Sequence, residues 1–334
     1  MTRLLPLLIT ALLSFQITLA SLSTFDSWPH QRIQLPDVSI HFRYFGSGPP
    51  ILLVHGFPQH SLTWHTIGPI LAQNYTVIAP DIRGMGDSSL STSGNYTAHA
   101  AGTDLKAILD FLDITQTYVY AHDKGVGLAT SLALEHPALV KRIILSEYVL
   151  PGYGYTTEVT SADLYQNWQL AFFAVPDAAA FFIQGREKEM LSWYFFHASY
   201  SGTAAISNDY LTRYANELAK PGFLHSGLMY FAAVWDDATY FESAFGQGEG
   251  PRRLSMPVLV LGGEASLAQW PVGEEWKKVG VSVSQDVIPK AGHWIGDENP
   301  EWSARRAAQF FGEDGGIPAV DLAGLTDVVN LIEQ

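Results

Sequence analysis

Hydrophobic and polar residues change rhythm several times along this chain. From Val38 to Tyr44 they alternate every second position, the period of a strand with one buried face, and Gly46-Ser47-Gly48-Pro49-Pro50 turns the chain after it. This reads as an edge strand. Ile51 to Val54 is a continuous apolar run, which predicts a strand buried on both faces, and it stops at His55-Gly56-Phe57-Pro58. A helical pattern around Trp64 to Ala72 leads to a second such strand, Tyr75 to Ala79, and then to the Gly-rich turn Asp81-Ile82-Arg83-Gly84-Met85-Gly86-Asp87-Ser88. Tyr96 to Leu112 carries apolar residues at intervals of three and four, the helical period. Strands follow at Thr117 to Tyr120 and Arg142 to Leu145, with helical composition between them from Leu128 to Glu135. Strands alternating with helices predict an α/β fold with a mostly parallel sheet.

After Leu150-Pro151-Gly152 the rhythm breaks. Residues 153–252 are aromatic-rich and helical in pattern, with no convincing strand. The strand–helix alternation then resumes with a strand at Pro257 to Leu261, a helix from Val272 to Lys278, a strand at Val281 to Ile288 and a helix from Pro300 to Phe311. The expected organisation is a core built from residues 21–152 and 253–334, interrupted by a helical lid over 153–252.

The stretch around which this organisation turns is Ala121-His122-Asp123-Lys124-Gly125-Val126-Gly127. A buried strand enters it and a helix leaves it. Small residues flank one reactive side chain, as a strained strand-to-helix elbow requires, because the two backbones nearly touch. Here the elbow presents Asp123. The plainer reading is an Asp that caps the helix. A carboxylate at an elbow attacks an sp³ carbon and forms an alkyl ester, whereas a serine there suits acyl transfer.

Composition narrows the setting. Residues 1–20 place Arg3 before an apolar run and end Thr18-Leu19-Ala20, which reads as a secretory signal peptide. Two sequons, at Asn74 and Asn95, agree with a secreted or lumenal glycoprotein. With no cysteine, the chain has neither disulfides nor thiolate metal sites, so 47% hydrophobic residues must supply a core. A net charge of −14 without a basic run argues against nucleic acid and against an anionic membrane, and no later segment reads as a membrane span. A small-molecule substrate is the expected partner.

His55-Gly56-Phe57-Pro58, the Asp81 to Ser88 turn, the Asp123 elbow and Gly292-His293-Trp294 stand in one order, at strand ends. In this the chain resembles the α/β-hydrolases, specifically the Asp-nucleophile branch of soluble epoxide hydrolases, haloalkane dehalogenases and fluoroacetate dehalogenases. The resemblance runs from residue 30 to 312. It implies an α/β-hydrolase fold and neither metal nor organic cofactor. By resemblance, Asp123 is the nucleophile, His293 the base that activates water, and the backbone N–H groups of Phe57 and Lys124 the oxyanion hole. It also implies a cis bond before Pro58. The carboxylate that orients His293 is either Glu147 or Glu264, each after a strand. Glu147 is preferred, since the Asp of related epoxide hydrolases falls nearer Ser266.

The lid bears on the reaction. Epoxide hydrolases resemble one another in lid tyrosines that protonate the opening ring. Tyr230, in Met229-Tyr230-Phe231, is the candidate here, beside the alternative that it only packs. The first tyrosine would fall near Trp168-Gln169, with Tyr165 out of register. Haloalkane dehalogenases resemble one another in a Trp after the nucleophile, where Lys124 stands. Fluoroacetate dehalogenases carry two Arg around the elbow, where Lys124 and Gly127 stand, and a lid His-Trp pair, where Gln169 and Leu170 stand. The expected function is therefore an epoxide hydrolase, with a dehalogenase on the same nucleophile as the alternative and a non-catalytic binding protein behind both. The Lys124 side chain reads either as a contact to a polar substrate group or as a cation that pairs with a neighbouring acid or reaches solvent.

Overall fold

The computed structural model describes residues 24–155, 167–246, 252–313 and 315–327. The signal-peptide reading over 1–20, and Tyr165, lie outside the described residues.

Strands β1 (His30–Gln34), β2 (Ser39–Phe45), β3 (Pro50–Val54), β4 (Thr76–Pro80), β5 (Thr117–His122), β6 (Val140–Ser146), β7 (Leu254–Gly263) and β8 (Gly280–Ile288) form one eight-stranded sheet. Its order is β1-β2-β4-β3-β5-β6-β7-β8. The β1–β2 and β2–β4 pairs are antiparallel, and every later pair is parallel. β3, β4 and β5 are buried along their whole length, β3 as an unbroken apolar run and β5 as a β-branched and aromatic one from Thr117 to Tyr120. The strand expected at the edge is not the edge. β1 covers it, pairing His30 with Arg43 through Gln34 with Ser39. The polar run His30-Gln31-Arg32-Ile33-Gln34 carries one strong apolar residue and gave no strand signal.

Helices α1 (Ile67–Leu71), α2 (Ala98–Phe111), α3 (Lys124–Glu135), α10 (Val272–Val279), α11 (Ile295–Glu298) and α12 (Pro300–Phe311) belong to the sheet-bearing part of the chain. Between β6 and β7 run α4 (Trp168–Phe173), α5 (Pro176–Ile183), α6 (Glu187–His197), α7 (Asn208–Leu218), α8 (Phe223–Ala232) and α9 (Val234–Phe245), with no strand among the described residues. None of the described helices is long and apolar enough to cross a membrane. The helical insertion is stitched to the loop after β8. His293 N–H donates to Ala198 O at 2.7 Å, and Trp294 Nε1 donates to Phe195 O at 2.9 Å. Glu298 accepts from Gly292 N on one oxygen and from Tyr200 N and Ser201 N on the other.

Candidate active site

Asp123 stands between β5 and α3 at φ 49°, ψ −131°, a conformation that costs a non-glycine residue about 1–3 kcal/mol and persists only where the surroundings enforce it. The surroundings do so. A Cβ on Gly125 would stand 2.4 Å from His55 O, and one on Gly56 would stand 2.3 Å from Asp123 Oδ1. Glycine is needed at both positions because the elbow and the turn after β3 approach to contact distance.

That approach gives the carboxylate its partners. Phe57 N–H donates to Asp123 Oδ1 at 2.8 Å. Lys124 opens α3, so its N–H has no intrahelical carbonyl to bond and belongs to the positive end of the helix at the elbow. The Phe57–Pro58 bond is cis. Asp123 Oδ2 faces His293 Nε2 at 3.6 Å. That nitrogen is buried and has no hydrogen-bond partner among the described residues.

His293 turns its other nitrogen to Glu147, Nδ1 to Oε2 at 2.9 Å. Glu147 leaves the end of β6 at φ 57° and is 5% exposed. Its second oxygen accepts from Gly263 N at 2.6 Å and Ser266 Oγ at 2.7 Å, both from the segment that ends β7. Glu264 goes elsewhere, accepting from Lys290 N at 2.8 Å on the exposed surface. The structure therefore brings Asp123, His293 and Glu147 together and leaves Glu264 apart. Burial pulls the His293 imidazolium down, but the Glu147 hydrogen bond and charge, then the charge of Asp123, outweigh it and hold its pKa above the ordinary value.

Two neighbouring histidines stand inside the sequence motifs without having been given a role. His122 donates from Nε2 to the carbonyl of His293 at 2.7 Å, fixing the loop that carries the base. Burial lowers its pKa to about 4, so it stays neutral. His55 accepts from Ile82 N at 2.9 Å, tying the turn after β3 to the turn after β4. The only signal for either was its place at a strand end.

Tyr230 is the lid tyrosine expected either to protonate the opening ring or to pack. It is buried on α8, and its hydroxyl donates to the carbonyl of Arg83 at 2.9 Å while its ring meets Tyr96 edge-on. Its proton is committed to a backbone acceptor. The neighbour, Phe231, takes the facing position, packing against Phe57 at 5.1 Å and Phe173 at 5.2 Å between ring centroids. The tyrosines whose phenols burial and then the Asp123 charge push upward include Tyr155 and Tyr194. Gln169 is buried with its amide oxygen unpartnered among the described residues.

Lys124 is 3% exposed, and its Nζ has no hydrogen-bond acceptor among the described residues. It lies 4.0 Å from the Phe231 ring centroid, 4.9 Å from Tyr155 and 5.4 Å from Tyr148. Burial lowers its pKa to about 8 against the raising charges of Asp123 and Asp237. Away from this site, His41, Asp81 and Asp87 gather potential metal-ligand atoms within 4.8 Å of one another. Asp81 is already engaged by His41 Nδ1, Ser61 N and Asp87 N, so the group reads as a structural anchor.

The sequence pattern describing the alpha/beta hydrolase fold matches residues 49–300. Among characterised proteins, the chain is 26% identical over 285 residues to a soluble epoxide hydrolase of Corynebacterium sp. (strain C12), covering 84% of this chain and 96% of that protein. It is 25% identical over 296 residues to a fluoroacetate dehalogenase of Burkholderia sp, covering 86% of this chain and 95% of the other. Among solved structures it superposes on wild-type Cfl2 from Burkholderia cenocepacia with a TM-score of 0.78 at 28% identity, over 84% of this chain and 95% of that one.

Proposed function

Starting from the chain's membership of the α/β-hydrolase fold family, which supports hydrolase activity on a small molecule, we propose that it is an epoxide hydrolase working through an alkyl ester of Asp123. The observation that carries this reading is the line Asp123–His293–Glu147, with 3.6 Å and 2.9 Å between the facing atoms. A carboxylate is the attacking group, and the histidine does not hydrogen-bond it closely enough to be its base. The 3.6 Å gap suits a histidine that serves a water placed beside the ester.

In the first step Asp123 Oδ2 attacks a ring carbon, the carbon–oxygen bond breaks, and the ring oxygen takes the electron pair. In the second, His293 removes a proton from water, and the hydroxide adds to the ester carbonyl carbon. The oxyanion that forms is received by the N–H groups of Phe57 and Lys124. The tetrahedral species collapses, and the departing diol oxygen takes the proton back from His293. Esterification removes the Asp123 charge, one of the causes that hold the His293 pKa up, so the imidazole becomes a freer base when it is needed.

The second reading, a dehalogenase, draws on the Lys124 ammonium, a cation that would also attract a halide or a carboxylate. Asn74 and Asn95 are both exposed and are the proposed glycan acceptors of a secreted chain. The catalytic reading is tested by His293→Gln, which blocks only the second step. Exposed to epoxides, it should accumulate a mass adduct on the Asp123 peptide. Exposed to halogenated acids or alkanes, the parent enzyme should release no halide. Halide release without epoxide turnover would transfer the assignment to the second reading.

A further inference from the structure

The ester mechanism leaves the ring oxygen in need of a proton, and the Tyr230 hydroxyl is engaged as a hydrogen-bond donor to the Arg83 carbonyl. We propose that the Lys124 ammonium is the acid that meets the opening epoxide oxygen. The inference rests on the reading of Asp123 as an alkylated nucleophile. Three observations carry it. Lys124 follows Asp123 directly, at the start of α3, so its side chain begins at the reacting carboxylate. Its Nζ is buried without an acceptor among the described residues, although an ammonium with three donors is costly to desolvate unpaired. The rings of Phe231, Tyr155 and Tyr148 surround it, contributing cation–π attraction but no lone pair that satisfies an N–H. The missing acceptor is an oxygen, and the alkylation step creates one with negative charge.

Among the described residues, the charged and titratable groups facing Lys124 are Asp123 on its own elbow, Asp237 from α9, and Tyr148 and Tyr155 from the segment after β6. The charges of Asp123 and, where it is ionised, Asp237 oppose the burial that lowers the Lys124 pKa to about 8. The proton account closes. As Asp123 attacks, Lys124 gives a proton to the ring oxygen and becomes a neutral amine. Hydrolysis of the ester returns Asp123 as a carboxylic acid, because hydroxide has added to its carbonyl carbon. That acid then returns its proton to Lys124, so both groups regain their charges and the net reaction is epoxide plus water to diol.

The test measures alkylation alone, as the rate at which adduct appears on Asp123 of the full chain carrying His293→Gln, with styrene oxide and a series of terminal epoxides as probes. With Lys124 present, the rate should fall as pH rises through a single ionisation near 8. Lys124→Met in the same background should slow adduct formation about 100-fold or more at pH 7 and abolish that alkaline limb. Lys124→Arg, which keeps the cation, should retain more of the rate than the Met variant and carry it to higher pH. Because the pH profile is read on the Lys124-bearing enzyme, it stands even if a variant folds poorly. An unchanged rate and an unchanged alkaline limb in Lys124→Met overturn the proposal, and losses in Tyr155→Phe or Tyr194→Phe would then locate the acid. If the Lys124-bearing enzyme forms no adduct with any probe, the ester reading fails and this inference falls with it.

Discussion

Ser266 donates its hydroxyl to Glu147 Oε1 at 2.7 Å, so the loop after β7 supports a carboxylate that the end of β6 supplies. The residue that orients His293 and the residue that steadies it thus come from adjacent parallel strands. Glu147→Gln should reduce kcat by 10²-fold or more, by analogy with the loss seen when a triad acid is neutralised. Glu264→Gln, facing Lys290 on the surface, should stay within about twofold of the parent, and Ser266→Ala should fall between the two. Steady-state kinetics decides the order, and NMR titration of His293 adds a second readout. Its pKa should drop in Glu147→Gln, because the Glu147 hydrogen bond and charge are the strongest influences holding it up. Equal kcat losses at Glu147 and Glu264 would contradict the assignment.

Tyr230→Phe should leave the alkylation rate within about twofold of the parent and lower stability by about 1 kcal/mol. The hydroxyl it removes satisfies the buried carbonyl of Arg83 and not a reacting atom. Denaturant unfolding and single-turnover rates measured side by side check this. A selective loss of alkylation with no loss of stability would return Tyr230 to the chemistry.

Much of this arrangement was legible in the sequence, and the exceptions have physical reasons. β3 announced itself because a strand buried on both faces is apolar throughout, and β5 by its β-branched and aromatic run from Thr117 to Tyr120. The elbow was legible because backbones in contact demand a small residue close to the reactive one, as Gly125 is. Tyr230 and Phe231 were not separable. Successive helix positions differ by about 100° in direction, and when both faces of α8 are buried the apolar pattern does not say which one meets the site. β1 was missed because its polar residues carry no strand period. Ser266 was invisible as a support, since a hydroxyl acquires that role only from the neighbour it reaches.

Asp237→Asn offers a pH-dependent check on the charges around Lys124. Burial raises the Asp237 pKa to about 7 while its side chain accepts from Ala98 N at the start of α2. A carboxyl whose folded pKa is raised contributes stability that is complete below its unfolded pKa, near 4, and is lost as pH rises through about 7. The Asn variant keeps the hydrogen-bond acceptor without the buried charge. Its Tm should therefore exceed the parent's by a few degrees at pH 8, and the difference should shrink steadily toward pH 4. Removing a charge that raises the Lys124 pKa should also move the alkaline limb of alkylation to lower pH. A stabilisation of equal size at both pH values would mean that Asp237 does not titrate as described.

The covalent ester at Asp123 is the centre of the mechanism, and one turnover in ¹⁸O-labelled water tests it most directly. With enzyme in excess over epoxide, the diol should emerge without the label, because its new oxygen comes from the unlabelled Asp123 carboxylate, while the peptide containing Asp123 gains one ¹⁸O. Label in the diol and none in the Asp123 peptide would show that water attacks the epoxide directly, and would contradict the account.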